Sequence, residues 1–196
     1  MRRMAFVMTD EKFFSLPPTI RLWFLSLAFA DMNAAEGAAR KAIELLDSGG
    51  DAFIYEALVE ISVVRYMRPF KASYMPENKG RIMLPTSYEP TTAPLRFHHE
   101  TILHVRDKSA AHSDMEVRQT QIRRNQRAPG SPPMWQSLTS RDVLEDFTLR
   151  AIPALALMCK QLIMPKVNGL ADELIGSVPV GSTFDLSWSG VHPIIG

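Results

Sequence analysis

The chain has 196 residues, of which 46% are hydrophobic and 22% are charged, which is typical of a globular domain and excludes a disordered chain. Its formal net charge of +1 excludes a global electrostatic attraction to nucleic acid, so any RNA binding must depend on local clusters of charge. The single cysteine, Cys159, excludes an internal disulfide framework and is typical of a reducing cytoplasm.

The first third of the sequence predicts a helical hairpin. A segment rich in leucine and alanine predicts a first helix from Thr19 to about Asp47, and Ser48–Gly50 predicts its end. Asp51 is the predicted N-cap of a second helix, which ends at Pro69. Apolar residues at three- and four-residue steps predict the buried face of that second helix: Phe53, Ile54, Ala57, Leu58, Ile61, Val64 and Met67.

No segment of this sequence predicts a membrane span or a signal peptide. The apolar run from Met4 to Met8 is too short for the hydrophobic region of a signal peptide. The most apolar stretch, from Ile20 to Ala30, is far shorter than the roughly 20 residues that a membrane-spanning helix needs. We therefore expect a soluble, cytoplasmic protein without membrane contacts.

The middle of the chain combines a long connection with one further helix. Several prolines between Lys71 and Pro94 predict a loop, with a short extended piece at Arg81–Leu84. A third helix is predicted from Leu95 to about Ala111. The arm that follows, from Met115 to Arg127, shows no strong period, so a short strand or irregular structure is expected there.

The last third predicts one more helix and a short tail. The sequence "TSRD" at Thr139–Asp142 resembles a capped helix start, and Pro165 with Gly169 predicts the end of that helix near Met164. Its expected apolar face consists of Leu144, Phe147, Ala151, Leu155, Met158 and Leu162. Apolar residues at even spacing then predict one or two short strands packed on the bundle: Val178, Val180, Phe184, Leu186 and Trp188.

These elements together predict a mainly α protein, a four- to five-helix up-and-down bundle with a long loop and a short β-like C-terminal tail. Residues 1–196 form one expected domain, with a helical core over about 18–165 and an appended segment over about 166–196.

The segment from Arg106 to His112, "RDKSAAH", contains the chemistry that metal-free RNA cleavage needs. A histidine can exchange a proton near neutral pH, and the planar fork of an arginine fits phosphate oxygens. His112 could deprotonate a 2′-hydroxyl group while Arg106 stabilises the phosphoryl transition state. Six residues along a helix leave these two side chains about 120° apart around the axis. Either the helix ends near Ala111, or a second protomer completes the site.

This arrangement of Arg106, the polar Asp107, four further residues and His112 resembles the motif of HEPN domains. The resemblance covers seven residues of 196. It implies a helical bundle that forms a homodimer, joins two motifs in one RNA-cleaving cleft and needs neither metal nor cofactor. It also implies a toxin–antitoxin or phage-defence setting with a cognate antitoxin as a partner. Some members of that family bind nucleotides without cleaving RNA.

Other polar residues have a binding interpretation and a structural one. Residues expected to contact RNA are His104, Lys108, Arg65, Arg68, Arg118, Arg123 and Arg124; in the structural interpretation they belong to solvated loops or helix ends. A weaker hypothesis is a metal-dependent enzyme with Glu100, His104 and His98 as ligands, assisted by Glu56 or Glu60. A third alternative is a helical dimerisation or ligand-binding module without catalysis.

Overall fold

The computed structural model describes residues 8–75, 80–109, 118–125, 134–141, 144, 146–176, 184–187 and 190–193. The described chain is mainly helical, as predicted. Its helices are α1 (Asp10–Phe14), α2 (Pro18–Ser48), α3 (Ala52–Met67), α4 (Ala93–Ser109) and α5 (Asp146–Ile175). Three antiparallel hairpins accompany them: β1 (Ser73–Tyr74) with β2 (Arg81–Ile82), β3 (Arg118–Asn125) with β4 (Met134–Arg141), and β5 (Phe184–Ser187) with β6 (Gly190–Pro193).

The turn between α2 and α3 confirms the predicted helical hairpin. Gly49 adopts the left-handed conformation with φ of 67°, which costs glycine nothing because it has no Cβ. The amide of Gly50 donates to the carbonyl of Leu45 at 2.8 Å, closing the last turn of α2. One residue later, the carboxylate of Asp51 accepts a hydrogen bond from the amide of Ile54 at 2.9 Å and caps α3.

The longest helix, α2, lies between α3 and α5 and runs antiparallel to both. Residues near its C-terminal end contact the start of α5, where Asp47 pairs with Arg150, and residues nearer its middle contact a later part of α5, where Glu36 pairs with Lys160. Small buried side chains on α2 permit the close approach of its neighbours: Ala28, Ala35, Ala39 and Ala42. These contacts place α2 at the centre of the bundle.

Helix α4 packs against both outer helices. Its Ile102 is fully buried. Its adjacent residues His98 and His99 contact different helices. The ring of His99 contacts Tyr66 of α3, while His98 contacts Thr148 of α5. The helix therefore bridges the two elements that flank α2.

The predicted buried face of α3 is wrong. Phe53 is 81% exposed, Ile54 50% and Ile61 46%, whereas the residues that face the core are Val59, Ser62, Val63, Tyr66 and Met67. Of the predicted face, only Met67 is fully buried. The helix is apolar on two sides, so the spacing of apolar residues could not indicate which side packs on α2.

The predicted bounds of the last helix are also wrong. Thr139 to Arg141 belong to strand β4, and the helix runs from Asp146 to Ile175, continuing through Pro165 and Gly169. On its predicted apolar face, Leu144 and Leu155 are buried, but Phe147 and Leu162 are 48% and 41% exposed. The residues that pack on the core are instead Thr148, Leu149, Ile152, Leu155, Ala156, Cys159, Ile163 and Leu170.

Helix α5 is also, by length and composition alone, able to cross a membrane, with a mean hydropathy of 1.4 over its most apolar window. Core helices of soluble proteins share this property. In the bundle, one face of α5 packs on α2, and its Lys160 pairs with Glu36. These contacts describe a core helix within the bundle and leave the cellular location of the protein open.

Candidate functional site

Three of the predicted site residues lie in the last turn of α4, where the backbone of Arg106, Asp107 and Lys108 is helical. One turn earlier, His104 is exposed to solvent. His112, the proposed base, lies outside the described residues. The pairing of Arg106 with His112 therefore stays a prediction.

The arginine-rich arm forms a regular strand. Arg118, Arg123 and Arg124 lie in β3, which pairs with β4 in an antiparallel register that sets Arg118 opposite Arg141 and Arg124 opposite Trp135. The prediction of a short strand here is confirmed. The partner strand was not predicted, and its last three residues, Thr139–Arg141, were assigned to a helix start instead.

The structure brings two further predicted residues together on a single carboxylate. The Nη1 atoms of Arg65 and Arg68 donate to the same oxygen, Oδ1 of Asp31, at 2.8 and 3.1 Å. The two nitrogen atoms are therefore no more than 5.9 Å apart, the sum of these distances. The Asp31 side chain is 7% exposed, whereas the arginines are 42% and 51% exposed. The carboxylate is thus a buried anchor, and the guanidinium groups lie at the surface.

These three residues line a groove with a volume of about 180 Å³. Its walls come from α2, from the end of α3 and from the β1–β2 hairpin. Two aromatic residues, Trp23 on α2 and Tyr74 on β1, belong to the lining. The guanidinium of Arg81 lies over the Tyr74 ring at 4.7 Å and donates to its hydroxyl at 2.6 Å. We call this set of residues the arginine groove.

The charges of the arginine groove favour an anionic ligand. Two guanidinium groups share one carboxylate, which leaves a net positive charge, and Arg81 adds another cation beside the rim. A guanidinium carries five N–H donors, and the described contacts of Arg65 and Arg68 each use one of them on Asp31. The groove can therefore offer several aligned donors to the oxygen atoms of a phosphate or a carboxylate.

Asp31 was missed by the sequence-based reasoning, although a signal exists. It is the one acidic residue in the apolar stretch from Leu22 to Met32. A carboxylate buried in a helix bundle requires a charged or hydrogen-bonding partner. An aspartate at such a position therefore predicts a nearby cation, and here Arg65 of α3 and Arg68 just after it supply two.

A second polar cluster, formed by Tyr66 and His99, lies in the core. The Tyr66 hydroxyl and Nδ1 of His99 are 3.0 Å apart, and both side chains are buried. Burial lowers the pKa of His99 to about 4 and raises the pKa of Tyr66 well above its usual value. Nearby, burial raises the pKa of Cys159 to about 12, which disfavours the thiolate form. The Cys159 side chain is fully buried.

His98, one of the residues proposed as a metal ligand, contacts a hydroxyl group and two aromatic rings. Nδ1 of His98 is 3.2 Å from the hydroxyl of Thr148, and its ring packs against Phe97 and Phe147. Across the part of the chain that the structure describes, no group of three histidine, cysteine, aspartate or glutamate side chains is close enough to hold a metal ion.

Comparison of the chain with protein-family models, curated proteins and solved structures gave no match. The features that bear on function are therefore the arginine groove and the sequence motif from Arg106 to His112.

Proposed function

We propose that this protein binds RNA or a nucleotide and that Arg65 and Arg68 of the arginine groove hold its phosphate. One observation carries the proposal: two half-exposed guanidinium groups converge on one buried carboxylate oxygen at the wall of a groove. Two guanidinium groups this close together repel each other, and the single carboxylate of Asp31 offsets only one of their two positive charges.

The buried carboxylate supports this role by ordering the cations in advance. Long arginine side chains lose rotamer freedom when they bind a ligand, which weakens binding. Because Asp31 already fixes one N–H group of Arg65 and of Arg68, part of that entropy is lost on folding. The remaining donors can then form charge-assisted hydrogen bonds to phosphate oxygens. The rings of Trp23 and Tyr74 supply apolar surface on which a base can stack.

The proposal is tested with the wild type, Arg65→Ala, Arg68→Ala and the double variant. The binding of fluorescently labelled single-stranded RNA to each is measured by fluorescence anisotropy at a series of salt concentrations. Each lost phosphate contact weakens binding and makes the slope of log K against log[salt] shallower by about one. Arg40→Ala is the matched control, since Arg40 is an exposed arginine on α2 that pairs with Glu36 away from the groove. Equal affinity of the double variant and the control would overturn the proposal.

A second candidate function is cleavage of RNA, supported by the resemblance of Arg106–His112 to the HEPN motif. In this mechanism His112 takes the proton of a 2′-hydroxyl, and the 2′-oxygen attacks the adjacent phosphorus. The 5′-oxygen leaves and takes up a proton from water to become a 5′-hydroxyl, giving a 2′,3′-cyclic phosphate on the other fragment, while Arg106 stabilises the crowded phosphorane. Asp107 orients the arginine or the histidine. The protein would then be a metal-independent endoribonuclease of a cytoplasmic toxin or defence system, active as a homodimer and held in check by an antitoxin.

Cleavage is tested with wild type, Arg106→Ala and His112→Ala in the presence of EDTA. The candidate requires activity in the wild type and its loss in both variants. Activity that EDTA abolishes would favour a metal-dependent enzyme. RNA binding without cleavage in any sample would identify the non-catalytic binding module and exclude the ribonuclease.

A further inference from the structure

The arginine groove is small and is walled by three elements. Its volume of about 180 Å³ is below the roughly 300–1,000 Å³ of cavities that enclose whole drug-sized ligands. Helix α2, the end of α3 and the β1–β2 hairpin form its walls. A phosphate within an RNA strand carries a sugar on both sides and needs space for both, whereas a terminal phosphate carries a sugar on one side only. The size of the groove therefore favours a terminal phosphate.

The charges at the groove match a phosphate that carries two negative charges. Arg65 and Arg68 contribute +2 and Asp31 contributes −1, which leaves +1, and Arg81 beside the rim raises the total to +2. A phosphate monoester carries about −1.5 to −2 at pH 7, whereas each phosphodiester of a strand carries one negative charge. A monoester therefore neutralises the groove, and a diester leaves one positive charge uncompensated.

The apolar lining of the groove strengthens this preference. Phe24, Ala28 and Ile82 belong to the lining and are 6%, 1% and 1% exposed. Charges interact more strongly where protein replaces water, so a second negative charge on the ligand contributes more there than in open solvent. A monoester also presents three terminal oxygen atoms to the guanidinium groups of Arg65 and Arg68, whereas a diester presents two.

We propose that the arginine groove selects a phosphate monoester, either the phosphorylated end of an RNA strand or a free mononucleotide, over an internal phosphodiester. The inference rests on the proposed binding of phosphate by Arg65 and Arg68, and it adds the class of phosphate that they select. The base next to that phosphate stacks on Tyr74, whose ring is 75% exposed and is oriented by the hydrogen bond from Arg81.

The test compares RNA strands of identical sequence that end in a 5′-phosphate, a 5′-hydroxyl, a 3′-phosphate or a 5′-phosphate blocked as its methyl ester. The methyl ester keeps the phosphate but carries one negative charge, as an internal diester does. At pH 7.5 and low salt, the wild type is expected to bind a strand with a terminal monoester about tenfold more tightly than the blocked strand. Competition by adenosine 5′-monophosphate shows whether a free mononucleotide is selected equally well, which also supports the proposal. Equal binding of all strands, without such competition, overturns it.

Variants assign the selection to the groove. Arg65→Ala and Arg68→Ala should each remove most of the preference for the monoester, whereas the exposed control Arg40→Ala should keep it. Circular dichroism checks that each variant folds. If both groove variants weaken binding of all strands equally and the wild type shows no preference, the proposed phosphate binding stands and the selection is overturned. A preference that survives in both variants overturns its assignment to the groove. If neither RNA nor the mononucleotide binds, both proposals fail.

The pH gives an independent readout, because the second pKa of a phosphate monoester is about 6. Lowering the pH from 7.5 to 5.5 protonates about three quarters of the monoester, so its affinity relative to the methyl ester should fall about threefold. The polar groups at the groove act on both ligands, so the ratio of affinities reports the charge of the phosphate; they are Asp31, Arg65, Arg68 and Tyr74, with Arg81 beside the rim. A ratio that does not change with pH overturns the proposal.

Discussion

Asp31→Asn tests the negative charge that Arg65 and Arg68 share in the arginine groove. The substitution keeps the shape of the side chain and one acceptor oxygen, but it removes the negative charge that Arg65 and Arg68 share. A hydrogen bond to a charged group contributes about 1.5–3 kcal/mol. Both arginines are about half exposed, so water replaces much of the lost interaction. We expect destabilisation of about 1–2 kcal/mol, and a loss of roughly 2–8 °C in Tm.

The same substitution is expected to strengthen anion binding, because the remaining amide oxygen can still order Arg65 and Arg68 while the negative charge that repels an anion is gone. A carboxylate about 5 Å from a bound phosphate repels it by about 1–2 kcal/mol at low salt in a largely aqueous environment. Removing that charge raises the affinity about 5- to 30-fold. Stability and affinity therefore change in opposite directions, which a simple loss of structure cannot produce.

The assay combines thermal melting with RNA anisotropy at low salt for the wild type, Asp31→Asn and Glu36→Gln. Glu36 is the matched control: it is a poorly exposed carboxylate of α2 that contacts two cations, Lys160 and Arg40, outside the groove. Glu36→Gln should lower Tm without changing RNA affinity. Weaker or unchanged RNA binding by folded Asp31→Asn would refute the role assigned to the arginines.

Three further predictions concern stability. Because burial lowers the pKa of His99 from 6.5 to about 4, the unfolded chain binds a proton that the folded chain excludes. The free energy of unfolding therefore falls by about 3 kcal/mol as the pH drops from about 6.5 to 4. His99→Gln should remove most of this dependence, measured by urea unfolding at pH 7 and pH 4.5. A wild-type slope in that variant would contradict the assignment. The buried Cys159 thiol, with a pKa of about 12, should react with a thiol reagent at pH 8 only through unfolding, so fast labelling of the native protein would exclude the described packing. Asp51→Ala removes the cap of α3 and should cost about 1 kcal/mol in chemical denaturation, whereas Asp51→Ser should be close to neutral.

The helical hairpin was predictable because its signals are local. Gly49 adopts the left-handed conformation that ends α2, and the Asp51 carboxylate accepts a hydrogen bond from the amide three residues later. Each effect therefore involves only residues close together in the chain. The last helix shows the limit of such signals. "TSRD" has the composition of a capped start, yet Thr139, Ser140 and Arg141 pair with the earlier strand β3. The tendency of Pro165 and Gly169 to end a helix is likewise outweighed by the packing of α5 on α2.

The candidate site likewise has features that the sequence predicted and features that only the tertiary structure determined. The sequence by itself identified Arg65 and Arg68 as candidate binding cations, and it identified apolar residues at three- and four-residue steps on α3, because both properties are carried by residues close together in the chain. Only the tertiary structure decided that this apolar face points outward and that Asp31 meets both arginines from 34 and 37 residues away. The physical reason is that burial of one helix face and pairing of distant charges depend on which helices pack together, and local periodicity does not contain that information.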